Sequence, residues 1–308
     1  MLNFQRSETA DYTVCCLTHV NDDITLRFAH VNRRLGAAKI VIYLDRAPTE
    51  REVRVANFSG NVQFIEASNA VYAAGQDVAI TSKQAACFSA AYQRCETTWI
   101  GFFDIDEFIV PPAPMDAFLD QVPKDEFFLS ARSVEGIWRG AQVVDIPFSA
   151  THARCRMNDQ TWKKLRGSLY PGRTRLFRNN MLSHQSGKYI VRSGLQISPR
   201  VHNIEMGNSR YAESRNWELT LMHYDGLCHA QWRSRNLRRR DGTIKQNTRN
   251  RFRQKQQAFQ FSSMLRSEEA FALLYHLDDR QFHILQTEGA VVPIIGAHEL
   301  LTEPISLA

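Results

Sequence analysis

Short apolar runs alternate with amphipathic segments through the first hundred residues. The apolar runs predict buried strands at 11–18 (DYTVCCLT), 38–44 (AKIVIYL), 62–66 (VQFIE) and 98–103 (TWIGFF). The segments between them predict helices, the first with Ile24, Phe28, Val31 and Leu35 on one face, Asn21 or Asp22 as its cap and Gly36 at its end. Further helices are predicted at 49–55 and 82–95. This alternation predicts an α/β fold with a mainly parallel central sheet.

The regular alternation stops after Pro111. A strand is predicted at 127–133, followed by turns, a hairpin and short strands through residue 202. Helical patterns dominate from Tyr224 onward, and Ser267 with two following glutamates is predicted to cap one of these helices. We therefore predict an α/β domain over 1–222 and a basic helical C-terminal region over 223–308 packed on it.

Composition and charge narrow the class of protein. The 308 residues are 44% hydrophobic and 23% charged, typical of a globular protein. Six cysteines without paired spacing predict free, reduced thiols. Without an 18-residue apolar run or signal-peptide features at the N-terminus, the sequence predicts a cytoplasmic protein.

The positive charge is concentrated in one segment. The net charge is +6, and the stretch 233–255 alone carries ten Lys or Arg against one acid, Asp241. Such a run can bind phosphates, nucleic acid or anionic lipid, or it can be a solvated helix face.

An acidic cluster directly follows the fourth predicted strand. Asp104 and Asp106 are two residues apart, so on an extended chain their side chains project to one face. Two adjacent carboxylates repel each other unless a cation neutralises them. Mg²⁺ or Mn²⁺ suits such a pair, with phosphate and water completing its shell. The alternative is a pair of ordinary surface acids at a strand end.

The motif blocks resemble those of glycosyltransferase family 2. The blocks are TTWIGFFDIDEFIV at 97–110, the first strand–helix–strand from residue 18, GKYIVRSGLQISPRVHNI at 187–204 and LTLMHYDG at 219–226. The resemblance implies a GT-A-type fold with 1–222 as the catalytic domain, a nucleotide-sugar donor and a divalent metal. Two departures limit it: DGLCHAQW follows the late His-Tyr pair, where relatives carry Lys-Ser, and SVEGIWRGAQ stands where relatives carry an acceptor motif.

The resemblance also implies roles for individual residues. Asp106 and Asp104 would hold the metal, with His223 as third ligand and His202 as the alternative. The nucleotide-sugar site would be formed by Thr18, His19, Asp45, Lys83, Gln84, Asp104, Arg173, Lys188 and Arg192. The donor would be UDP- or GDP-linked, and the acceptor a glycan or lipid-linked molecule.

Inverting transfer, which the resemblance implies, requires a carboxylate that deprotonates the acceptor hydroxyl. Glu135 is favoured, Glu107 is close but points off the shared face, and Asp145 and Asp159 lie in the same acceptor region.

Two other classes of function are weighed against glycosyl transfer. The first is a nucleic-acid- or anionic-surface-binding protein using 233–255, which lacks any nucleic-acid module signature, so no nucleic-acid partner is expected. The second is a metal-dependent phosphoesterase, whose sites usually recruit more His and Asp. With a lipid-linked acceptor, we expect peripheral contact with the inner face of an anionic membrane.

Overall fold

The computed structural model describes residues 10–71, 80–140, 145–183, 187–211, 219–242 and 250–294. These residues form two compact units. Among them, 10–132 and 187–221 belong to the first unit, and 133–183 and 222–294 belong to the second. The predicted boundary at 222 lies one residue from the change of unit after Leu221, whereas 133–183 are grouped with the helical C-terminal residues. The assignment of a catalytic domain to 1–222 stays a prediction.

The first unit alternates strands and helices up to residue 103 and then continues with shorter elements. In chain order they are β1 (Tyr12–Thr18), α1 (Asp22–Arg34), β2 (Lys39–Leu44), α2 (Glu50–Ser59), β3 (Val62–Glu66), the single turn α3 (Ala67–Ala70), α4 (Ile80–Gln93), β4 (Trp99–Phe103), β5 (Glu107–Val110), α5 (Met115–Asp120) and the start of β6 (Phe128–Arg139).

The second unit begins within β6 and adds β7 (His152–Arg154), α6 (Asp159–Leu169) and a 3₁₀ turn (Thr174–Leu176). The chain then returns to the first unit for β8 (Lys188–Arg192), β9 (Ser198–Pro199), β10 (Ile204–Met206), β11 (Ser209–Tyr211) and the start of β12 (Leu219–His223). The last elements of the second unit are α7 (His229–Arg240), α8 (Arg251–Ser262), a 3₁₀ turn (Met264–Arg266), α9 (Ser267–Tyr275), β13 (His276–Leu277), α10 (Asp279–Thr287) and β14 (Val291–Pro293).

Local side-chain chemistry determines where the first helices begin. The Asn21 side chain accepts a hydrogen bond from the Ile24 amide at 3.3 Å, which caps α1 as the sequence predicts. Thr49 and Glu52 form a reciprocal capping box at the start of α2. A left-handed Gly60 ends α2, which runs four residues past its predicted end at Val55.

The sheet of the first unit is mainly parallel. Its strand order is β8-β4-β1-β2-β3, with β1, β2, β3 and β4 parallel and β8 antiparallel to β4. The first residues of β6 pair antiparallel with β8. β1 is buried at all seven positions, as expected for a strand that is covered on both faces. This mixed α/β arrangement confirms the predicted fold class and is compatible with a GT-A-like fold.

Aromatic side chains fill the core of the first unit. The ring of Phe102 lies 4.9 Å from that of Phe88 and 5.8 Å from that of Tyr189. A Cβ at Gly101 would overlap the Phe103 ring, so β4 needs glycine at this position. The packing of β4 in the core therefore holds in place the strand that leads into Asp104.

The second unit has its own strand pairs and helices. The later residues of β6 pair antiparallel with β7 and parallel with β13, and β7 pairs with β14. The predicted cap at Ser267 is wrong, because Arg266 is the cap residue and the Ser267 hydroxyl instead bonds His229 at 3.0 Å. All six cysteines are free. Across the described ranges, no helix is both long and apolar enough to cross a membrane.

Candidate functional site

The carboxyl ends of three neighbouring parallel strands bring polar side chains together in the first unit. Thr18 ends β1, Asp45 follows β2 and Asp104 follows β4. The Asp45 amide donates to the Thr18 carbonyl at 2.7 Å, and β1 pairs with both β2 and β4. Ligands of open α/β sheets bind outside this edge, which makes it the candidate site. His19 follows directly and is exposed.

The acidic cluster forms a tight turn. The Glu107 amide donates to the Asp104 carbonyl at 3.0 Å, and the Glu107 side chain accepts from the Asp104 amide at 2.8 Å. The expectation of an extended chain across Asp104 and Asp106 is therefore wrong. The turn reverses the chain between β4 and β5, and Asp106 is 7% exposed within it.

A buried lysine lies among these carboxylates. Lys188 Nζ is 2.9 Å from Asp104 Oδ2 and 3.2 Å from Glu107 Oε2. Burial alone would lower the pKa of Lys188, but the charges of Asp104 and Glu107 raise it above its usual value, so the ammonium stays charged. The cluster carries a net charge of minus two, from the carboxylates of Asp104, Asp106 and Glu107 and the ammonium of Lys188.

Polar side chains from α4 reach the same edge. Gln84 donates to Asp104 Oδ1 at 2.6 Å, and Lys83 Nζ is 3.0 Å from Asp45 Oδ2. The buried Cys16 thiol has a raised pKa, chiefly from burial and further from the charges of Asp104 and Asp106. The charges of Asp104 and Asp106 therefore also affect the Cys16 thiol of β1.

Arg192 lies at the opposite end of the sheet. It pairs with Trp99, the first residue of β4, and its guanidinium lies 4.3 Å from the centroid of the Trp99 ring. It also donates to the carbonyls of Val122, Pro123 and Glu126. The structure therefore contradicts the expectation that Arg192 binds the donor at the carboxyl ends, because β8 is antiparallel to β4 and carries Lys188 and Arg192 to opposite edges.

Glu135 lies in the second unit and is 1% exposed. Its carboxylate accepts from Arg154 at 2.7 Å, from the Leu182 amide at 2.9 Å and from the Ser183 amide. Arg154 is also fully buried and donates to the Leu274 carbonyl. This geometry argues against Glu135 as the catalytic base, since a base must reach the acceptor hydroxyl. The contacts of Glu107 with Lys188 and the Asp104 amide argue the same for Glu107.

The other two predicted donor or metal residues belong to the second unit. His223 ends β12, and Arg173 donates to the Leu273 carbonyl. The alternative His202 belongs to the first unit, where its Nδ1 lies 3.2 Å from the Gly187 carbonyl oxygen. The roles assigned to these residues remain predictions.

Part of the basic run is partly buried around a carboxylate. In the second unit, Arg235 donates to the Asp225 backbone carbonyl and lies 3.4 Å from Asp225 Oδ1. The Tyr275 hydroxyl donates to Asp225 Oδ2 at 2.6 Å. Burial would raise the pKa of Asp225, but the nearby charges, led by Arg235, hold it well below its usual range. Burial and the charge of Arg235 lower the pKa of Arg239 to about 10. Lys245 and Arg249 of the basic run lie outside the described residues.

Within the described ranges, no three His, Cys, Asp or Glu side chains are grouped so that they could hold a metal by themselves. A nucleotide-linked metal does not need such a group, because one or two carboxylates can hold it together with phosphate oxygens.

Comparison with protein families supplies the class of enzyme. The family model of glycosyltransferase family 92 matches residues 10–254, most of the chain. The chain belongs to glycosyltransferase family 92. Membership of family 92 supports a glycosyltransferase and gives no support for the family 2 subgroup that the motif blocks suggested. No curated protein matches the chain.

The family 92 match includes Asp45, the Asp104 turn and Lys188, and it ends within α8. The sequence reasoning placed Lys188 on the donor and missed its ion pairs with Asp104 and Glu107. One signal was available: Lys188 is the single charged residue that opens the otherwise apolar stretch KYIV. A buried charge in such a strand requires a counter-charge nearby.

Proposed function

We propose that this family 92 glycosyltransferase transfers a sugar from a nucleotide-diphosphate donor, with the donor bound at the carboxyl ends of β1, β2 and β4. The acceptor is a hydroxyl of a glycan or a lipid-linked molecule, and the transfer is metal-dependent and inverting. The observation that carries the proposal is the network of Asp45, Lys83, Gln84, Asp104 and Lys188 at one sheet edge.

The residues of this edge suit the parts of such a donor. The order of the strands reverses between β1 and β4, and Asp45 at the end of β2, with Lys83 of α4 bonded to it, lies beside this switch point. A base or ribose would be recognised there through hydrogen bonds. Thr18 and the exposed His19 flank that position. Gln84 and Lys188 hold Asp104 from two sides and so fix its carboxylate before any ligand binds.

The charge of the cluster fits a divalent cation. Lys188 offsets one of three carboxylates, and a dication would neutralise the remaining two charges. Asp104 and Asp106 would hold Mn²⁺ or Mg²⁺, whose oxygen preference matches carboxylates and phosphates. When bound, the metal would neutralise the diphosphate leaving group as the sugar bond breaks. Glu107 would act as a positioning residue, since it binds both the Asp104 amide and Lys188.

We propose that only part of the basic run 233–255 contacts an anionic membrane. Arg239 is drawn into the partly buried cluster with Arg235 and Asp225. Arg233 and Arg240 are exposed and therefore remain available to a lipid surface. The partial burial of Arg235 and Arg239 removes cations from the exposed surface of the basic run. This arrangement therefore gives no support for a nucleic-acid-binding surface.

Thermal unfolding with nucleotides tests the proposal. UDP, GDP and CMP are each added with and without Mn²⁺, and we expect one nucleotide to raise the melting temperature only when the metal is present. Asp106→Asn should abolish that rise and still fold, because asparagine keeps the shape of this buried side chain and lowers the negative charge of the cluster. Asp125→Asn, at an exposed position, is the matched control and should respond as the parent does. Equal metal-dependent stabilisation of the parent and Asp106→Asn would refute the site.

A further inference from the structure

A cavity of about 510 Å³ opens between α1 and α2 in the first unit. Residues from the later turns of both helices line it, together with Val62, the first residue of β3. Its size falls within the range of roughly 300–1,000 Å³ that is usual for small-molecule sites. The cavity is therefore large enough for a ligand rather than for a few water molecules.

The two helices are tied together near their starts. The buried Glu52 carboxylate accepts from the Thr25 hydroxyl at 2.5 Å and from two nitrogens of Arg46 at 2.7 Å each. The cavity lies toward the other ends of the helices. Because this network holds α1 and α2 in place, the cavity is formed before a ligand binds, which lowers the cost of binding.

The cavity has an apolar floor, and the polar residues His30, Asn57 and Ser59 also line it. Leu26 and Ala29 of α1 and Val62 of β3 are buried, whereas Phe58 of α2 is 71% exposed and forms a side wall. Small-molecule sites are lined mainly by apolar and aromatic side chains, so this lining favours an apolar ligand. An alkyl chain could lie on this floor with one face covered by Phe58.

The charged lining residues all carry one sign. Among the described residues that line the cavity, Arg33 and Arg54 are charged and no acid is present. Both arginines are exposed, and within the described ranges neither forms an ion pair. A ligand that fits this lining therefore combines an apolar chain with an anionic end.

The cavity is separate from the candidate donor site. Arg33 lies in the last turn of α1 and Val62 opens β3, so the cavity lies toward the amino ends of the strands. Asp45 lies beyond the other end of β2, and six residues of strand span roughly 20 Å. A ligand in the cavity would therefore not compete with a nucleotide at Asp45 and Asp104.

We propose that this cavity binds a single-chain amphiphile with one anionic head group, with the chain on the apolar floor and the head between Arg33 and Arg54. The inference goes beyond sugar transfer and does not depend on the donor site. The ligand is a monomeric molecule held in the cavity, not a lipid within a bilayer.

Titration calorimetry with decyl phosphate below its micelle concentration tests the proposal. We expect saturable binding at one site, and binding at least about tenfold weaker for decyl glucoside, decyltrimethylammonium and inorganic phosphate, because each lacks one of the two features. The double variant Arg33→Gln/Arg54→Gln and the single variant Phe58→Ala should each weaken decyl phosphate binding by about tenfold.

Matched controls come from the same helices. Arg34→Gln lies on α1 and Val53→Ala is an exposed apolar change on α2, and neither residue lines the cavity. Both should bind decyl phosphate as the parent does. Circular dichroism and thermal unfolding confirm that each variant is folded.

Several results would overturn the proposal. They are equal binding of the cationic or neutral decyl compound, competition by inorganic phosphate at equal concentration, equal weakening in the control variants, and binding only to micelles or anionic vesicles. If no nucleotide stabilises the parent, that result contradicts the proposed function alone. Failure of the amphiphile proposal and failure of the proposed function can therefore be told apart.

Discussion

Replacing Lys188 with methionine tests the central electrostatic claim about the candidate site. Methionine keeps an unbranched apolar side chain of similar length and removes the ammonium. Asp104, Asp106 and Glu107 then lie close together without the cation that pairs with two of them. We expect a folded but markedly less stable protein, because charges with little access to water lose their compensating partner.

The structure sets the size of the effect. Removing one partner of a buried ion pair costs roughly 3–5 kcal/mol. The Lys188 side chain is fully buried and that of Glu107 is 6% exposed, but that of Asp104 is 36% exposed and is partly screened by water. We therefore expect a loss of about 3 kcal/mol in the free energy of unfolding at pH 7, the low end of that range.

The loss should depend on pH in a defined direction. Without Lys188, the carboxylates repel one another at pH 7, and protonation, which for ordinary carboxyl groups occurs near a pH of about 4, relieves the repulsion. The difference in the free energy of unfolding between the variant and the parent should therefore shrink as pH falls from about 7 toward 4. Urea unfolding at several pH values measures this difference.

Two further variants separate charge from packing. Adding Glu107→Gln to Lys188→Met removes one of the three negative charges and should restore part of the lost stability. Lys124→Met, at an exposed position, should change the free energy of unfolding by no more than about 0.5 kcal/mol. If Lys188→Met costs no more than this control, or costs the same at pH 4 and pH 7, the electrostatic account of the cluster is wrong.

Three other changes test separate parts of the structure. Glu135→Gln should lower the free energy of unfolding by about 3 kcal/mol because it leaves its buried arginine partner unpaired, and a folded variant with unchanged stability and a large loss of transfer rate would restore Glu135 as the base. Gly187→Ala should destabilise the protein in thermal unfolding, because the new Cβ would overlap the Ala131 carbonyl, and an unchanged melting temperature would contradict that packing. Asp45→Ala should raise the donor concentration for half-maximal rate by roughly five- to tenfold, equivalent to about 1 kcal/mol, and an unchanged dependence would place the base pocket elsewhere.

The elements of the first unit could be predicted where the chain itself supplies the signal. β1 is apolar at most positions because it is buried on both faces, and the Asn21 cap and Thr49 capping box depend only on neighbouring residues. The length of β6 could not be predicted in the same way. Its later half pairs with β7 and β13, which follow far along the chain, and the predicted strand ended at residue 133.

Residue roles were predicted less well than elements because they depend on strand direction. The stretch GKYIVRSG places Lys188 and Arg192 four residues apart, and the resemblance assigned both to the donor. β8 runs antiparallel to β4, so Lys188 lies beside Asp104 while Arg192 lies beside Trp99 at the other edge. Nothing in a stretch of five residues specifies the direction of the neighbouring strand.

The geometry around Lys188 also bears on how the proposed metal would bind. A fixed ammonium beside Asp104 already offsets part of the charge that would attract a dication. Asp104, Asp106 and Lys188 together carry a net charge of minus one, and the cluster reaches minus two only when Glu107 is counted. Glu107 is engaged with Lys188 and the Asp104 amide. Phosphate oxygens of the donor would supply the ligands and charge that this cluster lacks. We therefore expect Mn²⁺ to bind weakly to the protein alone and much more tightly together with a nucleoside diphosphate. Calorimetric titration of Mn²⁺ with and without the nucleotide measures this coupling, and equal Mn²⁺ affinity in the two titrations would contradict it.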